Sequence, residues 1–298
     1  MRALRLGTRG SRLALLQSEL VAARLRRAGL DVELVRVVTE GDRRPAGTSP
    51  GEGMFVSALE QAVLEGRIDL AVHSAKDMPP GERRGLLVAA YPERADPRDA
   101  LVTARGGATI GTLPEGATIG TDSPRRAAFA ACCRADLVAV PLHGNVDTRL
   151  RKLDEGLVDA LVVAAAGLDR LGRGDRIDCR LSPDEIPPAP AQGALAVQVR
   201  SADRELIGAL AQMDDGAVRL AVEAERQVLV EVGGGCRSPV GALAEVEAGR
   251  LRLLAAAVGP RGRRLLRDED DATEAGKARL AMVAGSELRA HLATGVTR

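Results

Sequence analysis

The chain has 298 residues, enough for two or three lobes with cores of their own, and its 45% apolar and 28% charged content is ordinary for a globular protein. With 42 basic against 41 acidic residues, the net charge of +1 gives no global field to steer it toward nucleic acid; Phe55, Phe129 and Tyr91 are its only Phe, Tyr or Trp residues, which argues against stacking platforms for bases. Four cysteines (Cys132, Cys133, Cys179 and Cys236) form no CxxC pair, which argues against a zinc site and against a disulfide framework.

In chain order, residues 4–6 read as a short strand, and 12–28 carry helical apolar spacing through Leu13, Leu16, Leu20 and Leu25. A strand is expected over 31–38, then a Gly/Pro-rich loop at 41–53 (GDRRPAGTSPGEG), a helix over 55–65 and a strand over 68–73. This β-α-β alternation predicts an α/β sheet with crossovers. Two echoes predict a second lobe built like the first: EGRIDL (65–70) with EGLVDA (155–160), and LGTRGSR (6–12) with IGTDSPR (119–125). From about 217 the pattern changes to a long helix (217–231), a GGGC turn (233–236), strands near 242–247, 250–258 and 263–268, and a closing helix over 273–293. The expected domains are 1–95 with 192–211 for the first lobe, 98–187 for the second and 215–298 for a small α+β domain. No segment at the start has the build of a secretory signal and no apolar run reaches membrane-span length, so the expected setting is cytoplasmic, with no membrane or nucleic-acid partner.

Each strand–Gly–Thr turn sets backbone N–H groups and a hydroxyl at a helix start, with arginine nearby to grip a carboxylate by two hydrogen bonds. The first offers Arg9 and Ser11, the second Thr121, Ser123, Arg125 and Arg126. Either turn alone reads equally as a helix cap with solvated arginines; two of them favour a ligand with several carboxylates. HGNVDTRL (143–150) adds His143 and Arg149, and GLDRLG (167–172) adds Arg170. The segment AVHSAKDMPP (71–80) sets His73, Ser74, Lys76 and Asp77 at the carboxyl end of an apolar strand, where α/β sheets place their sites. Cys236 follows three glycines and reads as a presented thiol, whereas Cys132 and Cys133 sit in an Ala-rich helix and are expected in or near the core. His291 is expected on a surface helix.

These segments together resemble the porphobilinogen deaminase family over essentially the whole chain. The motifs carrying the resemblance are LGTRGS (6–11), VHSAKDMP (72–79), DPRDA (96–100), IGTDSPRR (119–126), GNVDTRL (144–150), AGLDRLG (166–172), PAQGALAVQVR (190–200) and GGGCRSPVGA (233–242), in family order. The resemblance implies two lobes like those of periplasmic binding proteins plus a cysteine-carrying α+β domain. It implies a dipyrromethane cofactor held by Cys236 through a thioether, with Asp77, Thr121, Ser123, Arg125 and Arg126 also in its site. Four porphobilinogen units would be added with loss of ammonia, and hydrolysis would release hydroxymethylbilane. Arg9, Ser11, Arg149, Arg170 and His143 would bind substrate carboxylates. Asp77 would hold pyrrole N–H groups and stabilise the cation formed as ammonia leaves, and Lys76 would pair with a carboxylate or tune Asp77. Gly193 and its neighbours would form a hinge region. The family implies a monomer, and the cysteine spacing gives no reason to expect a metal.

Three positions depart from the family pattern: Glu52 stands where lysine is common, His143 where arginine usually precedes Gly-Asn, and Ala191 where glycine is usual. They imply weakened substrate handling, as in a divergent second copy. The rivals are a non-catalytic polycarboxylate-binding protein, for which the GGGC domain has no purpose, and a cysteine acyl transferase, for which only His73, His143 and His291 are available as a base.

Overall fold

The computed structural model describes residues 3–38, 56–81, 83–235 and 238–293. The chain falls into two units, Met1–Ala95 with Ala194–Arg219 and Asp96–Gly193 with Leu220–Arg298.

In the first unit, β1 (Leu4–Thr8) lies parallel to β2 (Val32–Arg36) and β3 (Leu70–Ser74), with helix α1 (Arg12–Arg27) between β1 and β2 in sequence and α2 (Ser57–Leu64) before β3. Strand β10 (Leu195–Arg200) returns antiparallel between β3 and β4 (Leu86–Ala90), giving the order β2-β1-β3-β10-β4. β3 is apolar on both sides because both are covered: Leu70 and Val72 pack with Val21, Ala22 and Leu25 of α1, and Ala71 with Leu59, Ala62 and Val63 of α2.

The second unit repeats this plan. β6 (Thr118–Gly120) is parallel to β7 (Val138–Val140) and β8 (Ala160–Ala164), and β5 (Asp99–Thr103) runs antiparallel between β8 and β9 (Cys179–Arg180), in the order β7-β6-β8-β5-β9. Helices α3 (Pro124–Cys133), α4 (Val146–Asp154) and α5 (Ala165–Arg170) accompany it. Both sequence echoes have the same physical origin in each lobe. Asp69 accepts from the Arg5 backbone N–H at 2.9 Å, and Asp159 accepts from the Thr118 N–H at 2.7 Å, so each acid ties the entry of one strand to the start of its neighbour. Gly7 and Gly120 are bare for a common reason: a Cβ would fall 2.2 Å from Ile68 Cδ1 in one case and 2.8 Å from Leu142 Cδ2 in the other.

Helix α6 (Arg204–Leu210) follows β10, and α7 (Gly216–Val232) leads to an antiparallel meander of β11 (Val240–Glu247), β12 (Arg250–Gly259) and β13 (Gly262–Asp271), closed by α8 (Glu274–Ala293). Ala224, Val228 and Val232 of α7 pack with Leu251, Ala255 and Ala257 of β12 and with Leu280 and Leu288 of α8. The expected α/β class with a small α+β C-terminal domain is what the chain forms. α7 is followed by Gly233, whose φ of 72° lets Gly233 and Gly234 donate to the carbonyls of Val230 and Leu229 at 3.0 and 3.2 Å. Part of the GGGC signal is therefore a helix cap.

Two expectations are corrected. Cys132 is exposed, because the buried face of α3 is formed by Arg125, Arg126, Phe129 and Ala130. His291 is 7% exposed and lies 2.8 Å from the Gly262 carbonyl, since α8 packs that face against the β12–β13 turn.

Candidate functional site

In the first unit, β1 ends at Thr8, fully buried, with its hydroxyl donating to the Ala14 carbonyl at 3.1 Å. Three residues on, Ser11 caps α1 by accepting from the Ala14 N–H at 3.3 Å, leaving half-buried Arg9 and exposed Gly10 at the turn. β3 ends at Ser74, which exchanges hydrogen bonds with Gln17 at 3.0 and 3.2 Å. A single 3₁₀ turn, Ala75–Asp77, follows. Ala75 is fully buried and donates to the Ala194 carbonyl at 3.0 Å, and Met78 is 6% exposed; between these anchors Lys76 is half-buried and Asp77 exposed.

Beneath that turn runs a buried polar chain that only the fold reveals. His73 Nε2 lies 3.1 Å from Gln198 Oε1, Gln198 Nε2 donates to Glu60 Oε1 at 3.0 Å, and Glu60 Oε2 accepts from Arg83 Nη1 at 3.4 Å. Because the Gln198 amide is oriented by Glu60, its oxygen faces the imidazole and the His73 proton sits on Nε2. Burial pushes the His73 pKa down to about 4, Gln198 opposing the shift and Arg9 adding to it. A folded pKa below the unfolded value means this stability is complete above pH 6.5 and is lost as pH falls toward 4, a change of about 3 kcal/mol. Urea unfolding between pH 7 and 5 should show about 2 kcal/mol of this loss, and His73→Asn should remove most of the slope; an unchanged slope in the variant would assign it elsewhere.

In the second unit, Thr121 is 4% exposed and accepts from the Ser123 N–H at 3.1 Å. Ser123 caps α3 by accepting from Arg126 N–H at 3.4 Å, with Pro124 pre-set in the first turn. Arg125 and Arg126 are buried and converge on Asp99, itself fully buried at the start of β5. Arg125 Nη2 reaches Asp99 Oδ2 at 2.7 Å, and Arg126 Nε and Nη2 reach Oδ1 at 3.0 and 2.7 Å. Gln192 donates to Asp99 Oδ1 at 2.9 Å and to the Pro97 carbonyl at 2.8 Å, and Arg125 Nη1 donates to the Pro187 carbonyl. Burial alone would raise the Asp99 pKa, but Arg125 and Arg126 outweigh it and hold the carboxyl well below its usual range. The two arginines expected to face ligand are thus also the partners of a buried acid, Asp99.

Asn145 caps α4 by accepting from Thr148 N–H at 2.9 Å, and Gly144, at φ 126°, has no room for a Cβ beside Thr148 Cγ2 at 2.7 Å. Arg149 Nε donates to the Gly144 carbonyl at 2.9 Å and Nη2 to Asp122 Oδ2 at 3.0 Å. Burial lowers the Arg149 pKa, repulsion from Arg126 lowers it further, and Asp122 opposes both. His143 Nδ1 lies 2.9 Å from Asp122 Oδ1, without hydrogen-bond geometry. Arg170 Nη2 donates to the Gly193 carbonyl at 2.7 Å. Ala191 takes the left-handed conformation, φ 65°, that favours glycine, and its N–H is held at 2.6 Å by Oε2 of the fully buried Glu225, whose Oε1 accepts from Ala244 N–H at 2.7 Å. Cys236, Glu52 and the 41–53 loop lie outside the described residues. No helix among the described residues is long and apolar enough to cross a membrane.

The family models decide the assignment: residues 4–208 match "Porphobilinogen deaminase, dipyromethane cofactor binding domain" and 219–293 match "Porphobilinogen deaminase, C-terminal domain". The chain belongs to the porphobilinogen deaminase family. Relatives named porphobilinogen deaminase include one from Cutibacterium acnes, 51% identical over 245 residues (77% of this chain, 73% of the relative). Another, from Acidothermus cellulolyticus, is 49% identical over 286 residues (92% and 86%), and one from Mycobacterium tuberculosis is 50% identical over 230 residues (77% and 74%). Among solved structures, the chain is similar to a periplasmic substrate-binding protein of an ABC transporter from Coxiella burnetii (16% identity, 70% of this chain and 91% of that one, TM-score 0.45). It is also similar to the second substrate-binding domain of a putative amino acid ABC transporter from Streptococcus pneumoniae (16%, 78% and 95%, TM-score 0.44).

Membership of the porphobilinogen deaminase family makes the chain an enzyme of tetrapyrrole biosynthesis, a transferase with hydroxymethylbilane synthase activity and a dipyrromethane cofactor. The donor set of the second unit fits such a group. Three guanidiniums, Arg125, Arg126 and Arg149, stand against two carboxylates, Asp99 and Asp122, so a positive excess remains for a polycarboxylate pyrrole. The hydroxyls of Thr121 and Ser123 stand at the start of α3, where the N–H groups of a helix favour an anion.

Proposed function

We propose that the chain condenses four porphobilinogen units head to tail, with loss of one ammonia each, on a dipyrromethane joined to Cys236 by a thioether, and releases hydroxymethylbilane by hydrolysis. The observation that carries the reading is the guanidinium excess of the second unit, a set suited to a chain that gains two carboxylates with every unit added. When bound, the dipyrromethane supplies the free pyrrole carbon at which the first unit is joined.

The residues then divide by chemistry. Thr121, Ser123, Arg125 and Arg126 hold cofactor carboxylates, with Asp99 keeping the two guanidiniums in register. Arg9, Ser11, Arg149, Arg170 and His143 bind substrate carboxylates. Asp77, on its exposed turn, accepts pyrrole N–H hydrogen bonds, takes the proton released on substitution and stabilises the positive charge that develops on the substrate as ammonia leaves. Lys76 pairs with a carboxylate or tunes Asp77. The cofactor-carrying α+β domain occupies 215–298, and lobes of 1–95 with 192–211 and of 98–187 complete the division. A cytoplasmic monomer is part of the same reading, resting on the resemblance and on cysteines without paired spacing.

Ammonia release is the direct test. Purified protein given porphobilinogen should release one ammonia per unit consumed and one linear tetrapyrrole per four. Binding of porphobilinogen without ammonia release would favour a non-catalytic polycarboxylate-binding protein.

A further inference from the structure

Asp122 is neither a helix cap nor the acid that joins two strands. α3 is capped by Ser123 and α4 by Asn145, and the acid that links β8 to β6 is Asp159. The Asp122 carboxylate turns instead to Arg149 and His143, with Oδ2 accepting from Arg149 Nη2 at 3.0 Å and Oδ1 lying 2.9 Å from His143 Nδ1. The three side chains are only 16%, 18% and 27% exposed for Asp122, Arg149 and His143. Oδ1 and Nδ1 are shut off from solvent yet lack hydrogen-bond geometry, so the His143 side of this arrangement is not optimised as a structural bond. The repeat sharpens the contrast. The residue after strand–Gly–Thr is Arg9 in the first unit and Asp122 in the second, so one lobe sets a base where the other sets an acid.

Chemically, this carboxylate is what an acetate or propionate side chain of the substrate would be. Arg149 has Nε on the Gly144 carbonyl and Nη2 on Asp122, so the edge that would grip an incoming acid is already filled from within the chain. Charge points the same way. Arg125, Arg126 and Arg149 with Asp99 and Asp122 sum to +1, whereas without Asp122 the group would stand at +2.

We propose that Asp122 is a specificity-determining residue, a resident carboxylate that fills the Arg149–His143 anion subsite and competes with the side-chain carboxylate of the incoming pyrrole. The proposal rests on reading Arg149 as a carboxylate ligand. A substrate acid enters this subsite only by exchange, and exchanging one carboxylate for another on the same guanidinium returns little free energy. The loss falls on binding, so it reads out in KM; a group that merely supported the fold would shift thermal stability instead. A carboxylate fixed beside the subsite also shields Arg149 from small inorganic anions.

The test uses Asp122→Asn, Asp122→Ser, Asp122→Glu and Arg149→Gln in the full-length, cofactor-loaded enzyme, with inorganic sulfate as the competing anion. Asp122→Asn and Asp122→Ser should lower the KM for porphobilinogen by about ten-fold, the order of one charge-assisted contact, with kcat within about two-fold. Both should become more sensitive to sulfate, while Asp122→Glu, which keeps the charge, should lower KM less than either. An unchanged or raised KM in both the Asn and Ser variants, with Arg149→Gln also raising KM, would overturn the proposal and leave Arg149 as a carboxylate ligand that Asp122 merely positions. An unchanged KM in Arg149→Gln would remove the underlying reading itself.

Discussion

Asp99→Ala is expected to destabilise the protein by about 3–5 kcal/mol, because it strands two buried guanidiniums on one side chain's absence. Arg125 and Arg126 are 3% and 7% exposed, and Asp99 is the carboxylate that both reach. Gln192 cannot replace it: its amide oxygen lies 3.4 Å from Arg126 Nη2 but carries no charge to set against two guanidiniums. The same cluster predicts an acid limb. The folded pKa of Asp99 is depressed, so its contribution is present above the unfolded value of about 3.9 and is lost as pH falls from there toward the folded value. Urea unfolding at neutral pH checks the first statement, and acid titration of Asp99→Asn, which should flatten the limb, checks the second. A loss under about 1 kcal/mol in Asp99→Ala would mean that water reaches both arginines, against the burial described.

Asp77→Ala should reduce kcat by roughly 10²–10⁴-fold, the range expected when a positioned acid–base group and the charge it sets against a developing cation are both removed. Its effect on stability should be small. Asp77 is exposed, while the turn that carries it is anchored by Ala75 and Met78, so the alanine variant keeps the local backbone. A melting temperature near wild type with a collapsed kcat is the expected pair of results. A kcat within about three-fold of wild type would exclude Asp77 from the chemistry.

The sheet strands and helices were largely legible in the sequence because their signals are local. Apolar spacing marks α1, closely matching the expected 12–28 span, and the Gly-Thr turns at 7–8 and 120–121 mark equivalent strand ends in two lobes. The Asp69 and Asp159 ties explain why EGRIDL and EGLVDA look alike. The partners of the charged groups were not legible, since they come from far along the chain: Asp99 meets Arg125 across 26 positions and Gln192 across 93. One signal was available for Asp99, an acid opening the otherwise apolar strand DALV within a motif already singled out. Asp122 is hidden because an acid in a Gly-Thr turn carries no local mark of the cations it meets, and Glu225 because it lies within an amphipathic helix whose pattern does not distinguish a buried acid from a solvated one. The departure at Ala191 was visible, but its φ of 65° and its bond to Glu225 were not.

The covalent cofactor is the centre of the account, and intact mass tests it most directly. The protein as purified should exceed its polypeptide mass by a two-pyrrole adduct, and Cys236→Ser should show the bare polypeptide mass under the same conditions. A bare mass in the unsubstituted protein that persists after incubation with porphobilinogen would contradict the account.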